Sequence, residues 1–327
     1  MNNFFAGKNV LVTGSFGFVG SHLVDRLVEQ GAKVRAVWHE YWNDDLANDG
    51  ANYVQVDLRD PRFCNQVCQD TELVFLFSAS TSGSAVTVKN PLIHVTPNLV
   101  MNSQMIEAAY HAKVQKVIWL GSTTGYPDKG AEITVEEDMM VGNPYPKYFA
   151  VGWMKRSTEM LFKLYDTYLN PTMPSVIIRP SNIYGPRDKF DPGTSHVLAA
   201  LVRKAVERQD PFEVWGDGLD VRDEIYVSDF VEACLLAAEK IERYDPINIG
   251  GGVTHTVNEL LAIILEQTNY TDAKIQYNAS KPTMIPNRVV SIEKAKRLLN
   301  WEPKIGIHEG IERTIEWYRQ NKDTWNK

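Results

Sequence analysis

Three glycines, spaced three residues apart, stand where an apolar segment gives way to an amphipathic one. The segment reads Thr13-Gly14-Ser15-Phe16-Gly17-Phe18-Val19-Gly20. Glycine permits a tight turn and a close approach of the backbone to a ligand, and free N–H groups at a helix N-terminus attract anions. The arrangement therefore predicts a site for the paired phosphates of a dinucleotide. The residues expected to contact it are Gly14, Phe16, Gly17, Phe18 and Val19.

Apolar runs alternate with amphipathic stretches through roughly the first half of the chain, which is typical of βαβ units. Strands are predicted at Asn9–Thr13, Lys33–Trp38, Tyr53–Val56, Leu73–Ser78, Lys116–Gly121 and Ser175–Arg179. Helices are predicted at Gly17–Gln30, Pro61–Cys68, Asn98–His111 and Phe149–Tyr168. The pattern indicates an α/β fold with a doubly wound parallel Rossmann sheet, whose ligand crevice lies at the carboxyl ends of the strands.

Proline and glycine become frequent after Arg179, which indicates a change of domain. A helix near residues 228–241 and a strand at Ile247–Ile249 are expected to return to the first sheet. We therefore assign residues 1–180, with about 228–250, to a dinucleotide-binding Rossmann domain. Residues 181–227 and 251–327 are assigned to a smaller C-terminal α/β substrate-binding lobe.

The bulk composition narrows the class of protein. The chain has 327 residues and a formal charge of -7, which argues against a nucleic-acid partner, since duplex binding needs clustered Lys and Arg. No apolar run approaches the roughly 20 residues of a membrane span, and the N-terminus does not resemble a signal peptide. Cys64, Cys68 and Cys234 form no disulfide framework and no metal site, which favours a reducing cytoplasm.

The GxxGxxG spacing resembles the extended short-chain dehydrogenase/reductase family of nucleotide-sugar epimerases, dehydratases and reductases. Further matches are Val56-Asp57-Leu58, Phe77-Ser78-Ala79, the RPSNIYGP segment at 179–186, Arg222–Val227 and Asn248–Gly250. The resemblance is strongest to GDP-fucose synthase-like members, through Ser195-His196-Val197 and Ser280-Lys281-Pro282. It implies that Asp57 bonds the adenine amino group, beside Leu58. It also implies that Phe77, Ser78, Ala79, Pro180 and Asn182 line the coenzyme.

The choice of coenzyme depends on the end of the second predicted strand, where NAD-binding proteins usually carry an acidic residue. Here the strand ends at Trp38, and His39 and Glu40 follow it. Members of the family that bind NADP often carry arginine there or in the glycine loop, where this chain has Phe16. The missing arginine favours NAD, with Glu40 as a ribose partner and NADP as the alternative.

Proton transfer at a sugar carbon needs a hydroxyl whose pKa is lowered by a nearby cation. In the family, the hydroxyl and the cation are the tyrosine and lysine of a Tyr-x-x-x-Lys motif on one helix. Gly152, Lys155 and Glu159 match the spacing of that motif and of the residues around it. That register places Val151 where tyrosine is expected. Tyr148 lies seven residues before Lys155, about 10 Å along a helix axis, unless Pro146 delays the start of the helix. Tyr145 and Tyr126 are the other candidates.

A second group of hydroxyls follows the strand predicted at Lys116–Gly121. Ser122 matches the family's substrate-orienting Ser or Thr. Thr123 and Thr124 stand where dehydratases carry an acid pair, which disfavours dehydration, and a threonine hydroxyl is a weaker base than the cysteine of fucose synthases. His196 matches the family's second acid/base residue.

These observations predict an NAD(P)-dependent epimerase or reductase acting on a nucleotide-activated sugar, with GDP indicated by the resemblance. The predicted substrate ligands are Tyr126, Asn182, Arg187, Lys204, Arg222 and Arg288, because arginine forks bind diphosphate oxygens. A homodimer through the helices at Asn98–His111 and Phe149–Tyr168 is also expected. The alternative is a dinucleotide-binding regulatory or scaffold protein that lost turnover when valine took position 151.

Overall fold

The larger domain is built on a seven-stranded parallel sheet in the computed structural model, which describes residues 4–81, 86, 90, 92–281 and 283–325. Pro282, part of one predicted motif, lies outside the described residues. The strands of this sheet are β1 (Asn9–Thr13), β2 (Lys33–Trp38), β3 (Ala51–Gln55), β4 (Leu73–Leu76), β5 (Lys116–Leu120), β6 (Ser175–Pro180) and β10 (Asp245–Ile249). Their order is β10-β6-β5-β4-β1-β2-β3, so the direction of winding reverses between β1 and β4.

Helices cover both faces of this sheet. They are α1 (Phe18–Glu29), α2 (Pro61–Cys68), α3 (Val95–His111), α4 (Phe149–Thr167) and α6 (Val227–Lys240). One face shares a core with α1 and α6, whereas α2, α3 and α4 enclose the other. Strands such as β4 are apolar at every position because both of their faces are buried. The predicted doubly wound α/β fold is confirmed.

The smaller lobe contains the remaining strands in two short sheets. They are β7 (Asn182–Tyr184), β8 (Phe212–Trp215), β9 (Val221–Tyr226), β11 (Thr254–Thr256), β12 (Ile275–Asn278) and β13 (Asn287–Arg288). Its helices are α5 (Val197–Val206), α7 (Val257–Gln267) and α9 (Ile307–Asn321), which pack together around a second apolar core. Thr256 caps α7 in a capping box with Glu259, which fixes where that helix begins.

Two departures from the expected elements have local causes. β4 ends at Leu76, two residues early, because the N–H groups of Phe77 and Ser78 donate to the Thr13 hydroxyl, each at 3.0 Å. Helix α8 (Glu293–Leu299) packs on α6 and β10, although its residues were assigned to the smaller lobe. Within the described ranges, no helix is long and apolar enough to cross a membrane.

Candidate active site

The glycine loop after β1 leaves a cradle of bare backbone. Gly14 has a φ of +71°, a conformation that side-chain-bearing residues rarely adopt. A Cβ added at Gly17 or Gly20 would lie 2.9 or 2.1 Å from the Gly14 carbonyl oxygen. The first N–H groups of α1, at Phe18 and Val19, have no carbonyl partner within the helix. This cradle fits the paired phosphates of a dinucleotide, which need close backbone approach and free N–H groups.

The loop after β4 closes the other side of the same crevice. A Cβ at Gly14 would lie 3.1 Å from the Phe77 carbonyl oxygen and from Cα of Ser78. Phe77 is buried, Ser78 is half-buried and Ala79 is exposed, so solvent access increases outward along the loop. Because winding reverses between β1 and β4, these two loops diverge from each other, and a dinucleotide site is expected at that point.

An aromatic cluster and an ion pair occupy the far end of the crevice. Phe16 stacks on Tyr53 with ring centres 4.9 Å apart, and Trp38 packs against the same Phe16 ring at 6.1 Å. Asp57, beside the buried Leu58, pairs with Arg59 at 2.6 Å.

His39 approaches the same Asp57 carboxylate at 3.6 Å, while Glu40 is exposed. Hydrogen bonding from Arg59 is the main cause that lowers the pKa of Asp57 to about 2. Sequence reasoning missed Arg59, although it lies only two residues after Asp57.

Lys155 reaches from α4 to the carboxyl end of β5. Its ammonium donates to the carbonyls of Leu120 and Gly121 at 3.2 and 3.3 Å and lies 4.7 Å from the Trp119 ring centre. Burial lowers the pKa of Lys155 to about 8. The lysine therefore stands at the carboxyl edge of the sheet, two strands from β1, which leads into the glycine cradle.

The loop that follows β5, Ser122–Thr124, is called the hydroxyl loop, and it lies immediately beside Lys155. The Ser122 and Thr124 hydroxyls are 2.9 Å apart, and the Thr124 N–H donates to Ser122 Oγ at 3.1 Å. Gly152 allows α4 to pack directly on this loop, because a Cβ there would lie 2.7 Å from the Thr124 carbonyl oxygen. Thr123 is buried and directs its carbonyl oxygen to Arg288.

Tyr148 is the residue that directly precedes α4, and it is not part of that helix. It ends a short 3-10 turn that begins at Pro146, so the helix starts late, as the proline indicated. The Arg288 guanidinium carbon lies 5.0 Å from the centre of its ring. Tyr148 is thus brought to the hydroxyl loop, whereas Val151 is half-buried one turn before Lys155.

The expectation that Tyr126 contacts substrate is corrected by its burial. Only 1% of its surface is exposed, and its hydroxyl donates to Asn248 Oδ1 at 2.6 Å and accepts from Arg179 at 2.9 Å. Burial is the main cause that raises the pKa of Tyr126 well above its usual range. Tyr126 is therefore part of the core and is neither a substrate ligand nor a proton-transfer group.

His196 and Asn182 both lie in the smaller lobe. His196 directly precedes α5 and its side chain is exposed, while the surrounding protein, and then the charge of Lys189, lowers its pKa. Asn182 follows Pro180 by two residues and donates to Glu224 at 3.3 Å. Burial raises the pKa of Glu224 well above its usual value. Sequence reasoning missed this carboxyl, which lies on the buried part of β9.

The four predicted cationic ligands divide into two pairs. Arg222 and Arg288 are register partners on the adjacent parallel strands β9 and β13. Arg187 pairs instead with Asp25 of α1 at 2.7 Å, and the Lys204 ammonium donates to the Glu213 carbonyl at 2.6 Å. The structure therefore brings Arg222 and Arg288 together and places Arg187 and Lys204 elsewhere.

A doubly wound sheet with a phosphate cradle at its switch point, a lysine and paired hydroxyls defines a dinucleotide-dependent enzyme fold. A family model described as the NAD dependent epimerase/dehydratase family matches residues 10–250. The chain belongs to this family, and the predictions of the family and of NAD as coenzyme are confirmed.

Relatives of known name cover almost the whole chain. A putative UDP-glucose 4-epimerase of Methanocaldococcus jannaschii is 30% identical over 96% of this chain and 100% of its own length. A putative GDP-L-fucose synthase 2 of Arabidopsis thaliana is 27% identical over 95% and 92%. The crystal structure of UDP-glucose 4-epimerase from Thermotoga maritima, solved with UDP-glucose, gives a TM-score of 0.86 at 29% identity, covering 96% of this chain and 99% of that one.

Proposed function

We propose that this protein is an NAD(P)-dependent epimerase or reductase that moves hydride at a carbon of a nucleotide-activated sugar. The observation that carries the proposal is that Lys155, Ser122 and Thr124 all lie at the carboxyl end of β5, two strands from β1, which leads into the glycine cradle. Residues 1–180 and about 228–250 hold the coenzyme, and residues 181–227 and 251–327, apart from α8, supply the nucleotide-sugar lobe. NAD supplies the hydride acceptor or donor when bound.

The chain's own residues orient the substrate and handle protons. Backbone N–H groups at Gly17–Val19 hold the phosphates, and Lys155 holds the nicotinamide ribose through its ammonium. Ser122, already hydrogen-bonded to Thr124, orients the reacting sugar hydroxyl. His196, directly before α5, is assigned as a second acid/base group, and its lowered pKa leaves it neutral at pH 7, able to accept a proton.

The nucleotide diphosphate is assigned to the corner formed by Arg222 and Arg288. One nitrogen of Arg288, Nη2, is buried without a hydrogen-bond partner among the described residues, so it has a donor to offer. A GDP-hexose or GDP-deoxyhexose is the first substrate class to test, because the motif at Ser195-His196-Val197 favours it. Thr123 and Thr124 offer no carboxylic acid, so dehydration is disfavoured.

The experiment follows the reduced-nicotinamide absorbance band of the NAD-loaded protein while GDP-, UDP-, CDP- and dTDP-sugars are added one at a time. Growth or bleaching of the band with one sugar is expected, and Lys155→Met is expected to abolish it. A coenzyme band that no sugar changes would instead favour a dinucleotide-binding regulatory or scaffold protein. Val151 at the register position of tyrosine supports that alternative, whereas retention of Lys155 and His196 supports an enzyme.

A homodimer through α3 and α4 is part of the proposal. These helices pack against each other and expose large apolar side chains on their outer surface. The exposed residues are Val100, Phe149, Trp153, Met160 and Leu164. Burying this apolar stripe against its own copy would remove it from water.

A further inference from the structure

The Tyr148 hydroxyl is unusual among the phenols near the hydroxyl loop. Tyr126 is fully bonded in the core, whereas the Tyr148 hydroxyl has no hydrogen-bond partner in the part of the chain that the structure describes. Its side chain is half-buried. The chain segment that carries it is tied to the hydroxyl loop, because the Tyr145 N–H donates to the Tyr126 carbonyl at 3.3 Å. Tyr148 therefore carries a phenol without a described hydrogen-bond partner, on a segment that is bonded to Tyr126 just after the hydroxyl loop.

Arg288 is the cation that faces this phenol. It is 93% buried, being only 7% exposed, and donates to the Thr123 carbonyl while its guanidinium lies over the Tyr148 ring at 5.0 Å. Among the described residues Arg288 forms no ion pair with a carboxylate, whereas the neighbouring Arg222 pairs with Asp220 at 2.8 Å. A guanidinium within about 6 Å of an aromatic ring attracts it, more so when both are desolvated. Arg288 thus bridges the hydroxyl loop and Tyr148.

Lys155 cannot supply the positive charge that a phenol at position 148 needs. Its ammonium is bonded to the carbonyls of Leu120 and Gly121, and Lys155 lies six residues after Phe149, where α4 begins, which corresponds to about 9 Å along the helix axis. We propose that Tyr148 is the proton-transfer residue of the reaction proposed above, and that Arg288 positions its ring and supplies the positive charge. Because Arg288 lies on β13, the smaller lobe then supplies the cation that acts on the proton-transfer residue.

The step balances with the groups named. In the oxidising direction the proton of the sugar hydroxyl passes to the Tyr148 phenolate oxygen, while hydride leaves the same carbon for the coenzyme and a ketone forms. In the reducing direction the Tyr148 phenol gives its proton to the carbonyl oxygen as hydride arrives at the carbon. Burial raises the pKa of Tyr148, and the charges of Arg288 and then Arg222 oppose that rise.

The first test needs no turnover. Full-length protein is labelled with 3-fluorotyrosine, whose fluorine makes the phenol more acidic, and the Tyr148 resonance is assigned by its absence in Tyr148→Phe. Its titration midpoint is followed by fluorine NMR in wild type, Arg288→Lys and Arg288→Met. Loss of the charge in Arg288→Met is expected to raise the midpoint by about one pH unit, with Arg288→Lys between the two. An unchanged midpoint in Arg288→Met overturns the proposal.

The second test uses whichever of the four nucleotide sugars changes the coenzyme band. Tyr148→Phe is expected to reduce kcat about a hundredfold or more with little change in KM or in NAD affinity. Tyr277→Phe, an exposed tyrosine on β12, is the control and should behave as wild type. Full activity of Tyr148→Phe overturns the inference. So does a hundredfold loss of kcat in Tyr145→Phe that Tyr148→Phe does not show. A wild-type protein that no sugar affects refutes the proposed function instead, while the NMR titration still decides the Arg288 contact.

Discussion

The guanidinium of Arg179 and the carboxylate of Glu159 lie 2.6 Å apart, with 2% and 0% of their side chains exposed. Arg179 also donates to the Tyr126 hydroxyl and to the Glu136 carbonyl at 2.9 and 2.8 Å. The pair therefore joins α4, which carries Lys155, to β6 and to the loop beneath the hydroxyls. It fixes the height of α4 above the sheet.

Glu159→Gln should lower the free energy of unfolding by about 3–5 kcal/mol, because it leaves a buried guanidinium without its counter-charge. The matched control is Glu309→Gln, which removes a carboxylate from an exposed pair with Arg313 whose side chains are 48% and 49% exposed. That change should cost no more than about 1 kcal/mol. Urea denaturation measures both, and equal losses would contradict the structural role given to Glu159.

Gly20→Ala should weaken NAD binding about tenfold or more, because its Cβ would lie 2.1 Å from the Gly14 carbonyl oxygen and displace the phosphate cradle. Calorimetric titration with NAD measures the change. Gly306→Ala is the control, since a Cβ there meets nothing within 4 Å and its φ is −69°. Comparable weakening in both variants would show that the loop is not the coenzyme site.

Asp188→Asn should change how stability depends on pH. Burial raises the pKa of Asp188 from 3.8 to about 7, so the unfolded chain binds fewer protons than the folded protein between these values. Stability contributed by the protonated carboxyl is complete below about pH 4 and is lost as the pH rises to about 7.

The variant should therefore be more stable than wild type at about pH 8, by on the order of 1–4 kcal/mol, and should match it more closely near pH 4. Thermal and urea unfolding across this range measure the difference. A variant that loses stability equally at both pH values would show that Asp188 is ionised and well paired in the folded state.

Leu164→Glu should convert the proposed dimer to monomers, because it places a charge in the apolar stripe of α4, where Leu164 is 43% exposed. Sedimentation velocity measures the mass directly. Leu219→Glu introduces the same charge at a leucine that is 64% exposed in the smaller lobe and should leave the dimer intact. Wild-type protein that sediments as a monomer would remove the dimer from the proposal.

The sequence predicted those features that depend on neighbouring residues. Strands such as β4 are continuous apolar runs because both of their faces are buried, and such runs can be recognised in the sequence alone. The glycine loop and the spacing of Gly152, Lys155 and Glu159 are likewise local. The late start of α4 followed from Pro146 alone.

Partners that meet across long stretches of chain were not predictable. Arg288 bonds the carbonyl of Thr123 across 165 positions, and Arg187 reaches Asp25 across 162. From residue type alone, Arg288 and Arg187 are equally good candidates for a phosphate ligand. Only the partners that they bond in the structure distinguish them. Burial hid the role of Tyr126 in the same way, because a tyrosine after a strand has the same sequence pattern whether it faces a ligand or the core.

β10 lies beside β6 in the seven-stranded sheet, although about 65 residues of chain separate their ends. When only the first 180 residues have been synthesised, the larger domain therefore lacks two of its elements. β6 has no β10 to pair with, and α6 does not yet cover one face of the sheet. The larger domain can complete its fold only after the part of the smaller lobe that precedes α6 and β10 has been synthesised. A fragment that ends near residue 180 is therefore expected to aggregate.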